Sequence, residues 1–142
     1  MANNCDFELM VRGKQENVDT FFRYLTDYDN SPKNFARIFS AEIDSESVND
    51  EGIKTMMIFG DCAWSVYSCM CEGEYTYFSE GDGVKLTCLR EATAELSLEV
   101  EIRSKEDGMG FWEHIHYKTV NVFVKTVGTL LMKTSIWIKQ HK

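Results

Sequence analysis

LSLEVEIRSKEDGMGFWEHIHY, residues Leu96–Tyr117, contains two alternating apolar segments that meet at Gly108-Met109-Gly110. Leu96, Leu98, Val100 and Ile102 recur at every second position, with Ser97, Glu99, Glu101 and Arg103 between them. That period belongs to a strand with one buried and one wet face. Lys105-Glu106-Asp107-Gly108 supplies turn chemistry, and beyond Gly110 the residues Phe111, Glu113, Ile115 and Tyr117 alternate with Trp112, His114 and His116. The stretch predicts an antiparallel hairpin with glycines at its tip.

Working outward, Cys5, Phe7, Leu9 and Val11 alternate with Asp6, Glu8 and Met10 and end at Gly13, which predicts a first strand. From Lys14 the period changes. Val18, Phe21, Phe22 and Leu25 fall at helical spacing, Glu16 and Asp19 suit the positive end of a helix dipole, and Pro32 forbids easy continuation. Phe35 to Ile43 predicts a second strand, Ser45 to Gly52 an acidic loop, and Ile53 to Trp64 a third strand loosened at Gly60-Asp61. Between Ser65 and Gly83 the glycines interrupt the pattern, so one or two short helical turns within a loop are expected. Val84, Leu86, Leu89, Ala92, Thr93 and Leu96 predict a second helix among good helix formers. After the hairpin, Asn121 to Val127 alternates and stops at Gly128. Thr129 to Lys139 fits strand or helix, with its Thr, Ser, Ile and Trp content favouring strand.

A strand-helix-strand unit used twice predicts an α+β fold with a ferredoxin-like β-α-β-β-α-β core, two helices on one sheet face, and additional antiparallel strands at the C-terminal end. Three stretches carry a resemblance: Asn4-Cys5 opening the first strand that Gly13 closes, Ala63-Trp64-Ser65 after the third, and Glu106-Asp107-Gly108-Met109-Gly110-Phe111 at the hairpin. Together they resemble the YubB-type ferredoxin-like domain family, small proteins encoded largely by phages, conjugative plasmids and gut bacteria. The resemblance spans about Asn3 to Val127; Val66 stands where the family usually has proline. It implies the fold and a mobile-element or gut-bacterial origin. It implies no enzymatic activity, since the family has none established.

The chain of 142 residues is expected to form a single domain, with a core over about 3–127 and an extension over 128–142. A hydrophobic content of 44% suits a globular protein, and no apolar run approaches the ~20 residues a bilayer span requires. The N-terminus lacks the basic and apolar regions of a signal peptide, so a cytoplasmic protein is expected. Five cysteines, an odd number, fit reduced thiols better than a disulfide framework. The net charge of −8 is uneven: residues 1–51 and 52–109 each carry −6, and residues 110–142 carry +4. The acidic body disfavours nucleic acid. The lysines of the last third (Lys118, Lys125, Lys133, Lys139 and Lys142) are the one basic exception, and on them rests an alternative reading as a nucleic-acid binder.

Cys62, Cys69, Cys71, Cys88, His114 and His116 offer soft ligands, but Cys69-x-Cys71 lacks the paired spacing of structural zinc sites. No signature marks a nucleophilic thiol or a phosphate loop, so a metal- or thiol-dependent enzyme is a further alternative only. No cofactor is expected, nor any catalytic or metal residue. The leading expectation is a non-enzymatic binding or accessory protein acting through protein contacts. Aromatic side chains favoured at interfaces nominate Trp64, Tyr67, Tyr75 and Tyr77 around the middle segment, and Trp112, His114 and His116 on the sheet face that helices leave uncovered. That face would suit a protein partner or a homodimer.

Overall fold

The computed structural model describes residues 3–71 and 86–118, and the backbone of 122–129 and 135–141. Its seven strands are β1 (Asn4–Lys14), β2 (Ile38–Val48), β3 (Ile53–Ala63), β4 (Glu99–Glu106), β5 (Phe111–Lys118), β6 (Val122–Thr129) and β7 (Ser135–His141). They form one antiparallel sheet in the order β2-β3-β1-β4-β5-β6-β7. Helix α1 (Gln15–Thr26) links β1 to β2. A π-helical turn (Tyr67–Cys71) and helix α2 (Leu89–Leu96) lie between β3 and β4. The fold is α+β.

Strict alternation decides which face is covered. Cys5, Phe7, Leu9 and Val11 of β1, Met56, Ile58 and Cys62 of β3, Val100 and Ile102 of β4, and Ile115 and Tyr117 of β5 are all buried. Helix α1 sets Val18, Phe21, Tyr24 and Leu25 on them at intervals of three or four, and α2 adds Leu89 and Ala92 to the same cluster. Phe21 meets Phe35 edge-to-face with ring centroids 5.3 Å apart. Each such side chain contributes roughly 1.5–3 kcal/mol when fully buried. Both helices therefore pack on one face, and among the described residues no element covers the other.

The hairpin forms where alternation places it, turning through Asp107–Gly110. Gly110 adopts φ +75°, and Glu106, itself buried, accepts from the backbone N–H groups of Gly108 and Met109, both at 2.7 Å. Leu96 does not belong to the hairpin's alternation. It ends α2, and Ser97, at φ +51°, turns the chain before β4.

Several boundaries depart from the expected ones. Strand β2 begins at Ile38 rather than Phe35 and runs through Val48, so Ser45–Val48, expected as loop, pairs with β3. The reason is that an edge strand is held by backbone hydrogen bonds and needs no apolar alternation of its own. Bulges between Ile38 and Ser40 and between Ile43 and Ser45 break its register. Gly60-Asp61 does not loosen β3, which is continuous to Ala63. Gly60 is there because a Cβ would lie 2.1 Å from the Ser40 carbonyl oxygen and 2.9 Å from the Phe7 ring. The second helix starts at Leu89, and Leu86 instead makes an isolated bridge with Asn34. One helical turn, Tyr67–Cys71, lies in the described part of the middle segment; residues 72–85, with Val84, fall outside the described residues. Gly128 lies within β6 rather than ending it, and the part of the ambiguous last segment from Ser135 pairs as a strand, β7, while residues 130–134 fall outside the described residues.

Candidate functional site

On the open face, Arg12, Met10, Glu8 and Asp6 of β1 stand beside Glu99, Glu101, Arg103 and Lys105 of β4 in cross-strand register. The next strand outward, β5, adds His116, His114 and Trp112 opposite Glu101, Arg103 and Lys105. On the other side of β1, Met57, Phe59 and Asp61 of β3 stand opposite Met10, Glu8 and Asp6. Phe59 is 44% exposed and Met57 37%. A depression of about 430 Å³ lies over β1, with Asp6 and Glu8 along its floor, Phe59 and Gly60 of β3 on one side and Arg103 and Lys105 of β4 on the other.

The two histidines are held diagonally. His114 Nε2 donates to Glu101 Oε2 at 2.6 Å, and His116 Nε2 donates to Glu99 Oε2 at 2.8 Å. The bond from His114 lowers the pKa of Glu101 below the ordinary carboxylate value. Burial alone would raise that of Glu99, but the bond from His116 and the charge of Lys118 outweigh it, and the net shift is downward. The same ladder leaves Arg103 3.6 Å from Glu101 and Lys105 3.5 Å from Asp107. Asp6 and Glu8 make no ion pair or side-chain hydrogen bond among the described residues.

Trp112, His114 and His116 thus share one face as expected. Trp64 and Tyr67 lie elsewhere, at the junction of β3 and the π-helical turn. Trp64 is exposed, holds φ +66°, and donates its N–H to the Asn3 carbonyl at 2.8 Å. Tyr67 is half-buried against the core and donates its N–H to Glu113 Oε2 at 3.1 Å. Tyr75 and Tyr77 fall outside the described residues.

Glu113 is the structural residue that the interface reasoning passed over. Buried at the centre of β5, its Oε1 accepts from the Val66 N–H at 2.8 Å and the Ser104 hydroxyl at 2.7 Å, while the Cys5 thiol lies 3.9 Å away. The signal was its phase, since Glu113 alternates with Ile115 and Tyr117 on the covered face. Lys54 is a second buried charge, paired to Asp19 of α1 at 2.7 Å and to Glu46 of β2.

The five cysteines are free and buried. Cys5 and Cys62 are cross-strand partners. Hydrogen bonds with Cys5 and Cys69, followed by burial, push the Cys62 thiol strongly towards its protonated form, and burial pushes Cys88 the same way. A protonated, enclosed thiol is a poor nucleophile. Among the described residues no group of three or more His, Cys, Asp or Glu side chains is arranged to hold a metal ion, and each of the two β5 histidines is engaged by a glutamate. No helix among the described residues is long and apolar enough to cross a membrane. Comparison with protein-family models, curated proteins and solved structures finds no match to this chain.

Proposed function

We propose that this protein is a non-enzymatic binding or accessory protein that acts through protein contacts made by the open face of its sheet. The observation that carries the reading is the contrast between the two faces. One is sealed by α1 and α2, while the other presents Phe59 and Met57 among charged side chains that include the uncommitted Asp6 and Glu8. Aromatic and methionine side chains framed by polar groups are the composition of a protein interface. Asp6 and Glu8 at the middle of the face would repel a phosphate backbone. The ferredoxin-like and YubB-type reading belongs to the same proposal. It is supported by the run β2-β3-β1-β4 with helices after β1 and after β3, to which β5, β6 and β7 are added.

The test uses Phe59→Asp, a change at an exposed side chain that leaves the covered core intact. Immobilised wild-type chain should retain protein from a cell extract that the Phe59→Asp variant does not, while a charge change on the outer side of α1, Arg23→Glu, has no effect. Capture that survives Phe59→Asp overturns the reading. So does salt-sensitive binding to a DNA or RNA oligonucleotide that is lost when Lys118 and Lys125 become Glu.

A further inference from the structure

We infer that the occupant of the open face is a second copy of this chain, packed sheet on sheet about a two-fold axis that runs parallel to the strands between β1 and β4. The inference rests on the proposed role of that face and names its partner.

The argument is one of register and charge. Three of the four cross-strand rows joining β1 to β4 on this face carry opposite charges: Asp6 beside Lys105, Glu8 beside Arg103, and Arg12 beside Glu99. The acid lies on β1 in two rows and on β4 in the third. A two-fold axis along the strands exchanges β1 of one copy with β4 of the other at the same level. Every charge in the three rows then meets its opposite: Glu8 faces Arg103 of the partner subunit, Asp6 faces Lys105 of the partner subunit, and Arg12 faces Glu99 of the partner subunit. This is the self-complementarity that an isologous interface demands. Cross-strand charge pairs ordinarily serve the sheet that carries them. Here Asp6 and Glu8 form no ion pair with their neighbours within the chain, so their charges remain available to a partner.

The outer strands fit the same operation. Phe59, opposite Glu8 in the register, comes to lie over His114 of the partner subunit, so an exposed aromatic ring covers an imidazole. The depression over β1 lies beside the axis, where side chains of the partner subunit would fill it. Sheets stacked face to face sit about 10 Å apart, and an axis along the strands keeps the rows of the two copies level. Four strands at ~4.8 Å spacing, with eight residues at ~3.3 Å each, present a patch of roughly 20 by 26 Å. Its area of roughly 520 Å² per partner lies at the low end of specific interfaces, below the ~800 Å² of the standard size.

Sedimentation velocity of the full chain tests the inference. The wild type should sediment at twice its 16.4 kDa mass. Arg103→Glu with Lys105→Glu should weaken association by roughly a hundredfold, because like charges then oppose each other across the interface. Asp6→Lys with Glu8→Lys should do the same. Mixing the two double variants should restore the dimer as a heterodimer, which a merely misfolded variant would not do; circular dichroism of each confirms the fold. A wild type that is monomeric at all concentrations, or double variants that dimerise as the wild type does, overturns the inference. If the wild type is monomeric yet Phe59→Asp still abolishes capture of protein, only the second copy is excluded. If Phe59→Asp changes neither, the role of the open face falls as well.

Discussion

The Glu113 carboxylate accepts from two consecutive backbone N–H groups, those of Val66 and Tyr67, and from the Ser104 hydroxyl. It thereby fastens the turn that follows β3 to the β4–β5 hairpin. Removing it strands buried donors, each of which costs about 1–3 kcal/mol when left unpaired. Glu113→Ala is expected to destabilise by roughly 3 kcal/mol or more, and Glu113→Gln, which keeps an acceptor, by about half that; urea unfolding monitored by tryptophan fluorescence measures both. The two glycines separate two further mechanisms. Gly60→Ala forces a methyl group against the Ser40 carbonyl and the Phe7 ring and should cost roughly 2–3 kcal/mol by overpacking. Gly110→Ala meets no atom within 4 Å but occupies a left-handed conformation, so its cost should stay near 1 kcal/mol. Equal losses for the two in thermal unfolding would contradict this division. At this scale the sequence was readable where phase decides burial. The burial of Glu113 follows from its alternation with Ile115 and Tyr117, whereas the need for glycine at 60 comes from the Ser40 carbonyl of a neighbouring strand, contact that no local pattern encodes.

Among the elements, the β4–β5 hairpin carries two carboxylates whose charge its own histidines sustain. His114 and His116 hold the carboxylates of Glu101 and Glu99 in their charged forms, and the folded pKa of each glutamate lies below its unfolded value of about 4.3. A carboxylate with a depressed pKa stabilises the fold above its unfolded pKa, and that contribution is lost as pH falls through the lower folded value. The advantage of wild type over Glu99→Gln/Glu101→Gln should therefore fade as the solution is acidified below about pH 5. Both pairs are part-exposed, so it should be no more than about 1 kcal/mol for each. Melting temperature against pH for the two proteins measures it, and an advantage that keeps growing below about pH 4 would refute the assignment. The hairpin was legible because alternation of period two survives intact through Tyr117. Strand β2 was misjudged over Ser45–Val48 because its side chains are polar and exposed, and only pairing with β3 makes it a strand.

For the whole molecule, the covered face explains the inertness of the thiols. Cys5, Cys62, Cys69, Cys71 and Cys88 are all buried, so an aromatic disulfide reagent should modify none of them in the native protein and all five in denaturant. The rate should follow the fraction unfolded as urea is raised, and rapid native labelling of even one cysteine would show that the core opens locally. The α+β class was legible in the order of periodic segments, and the histidine face in their phase. The charge map of the open face was not, because it depends on which strands become neighbours. β1 and β4 are separated by more than 80 residues, and the relation between Glu8 and Arg103 exists only once the register is set.

The bulges of β2 have a consequence for the outer edge of the sheet. As the first strand in the order, β2 has one side with no strand beside it among the described residues, and such a row of N–H and C=O groups is a template on which other chains can polymerise. Phe39 and Asp44 are the extra residues at its two bulges, and Glu42 and Glu46 are exposed along it. A straight strand laid against this edge would lose register twice within six residues and meet negative charge from Glu42 on one face and Glu46 on the other. The acidity of the N-terminal third, which counts against nucleic acid, thus also limits growth of the sheet into a fibre from that side and leaves association to the face.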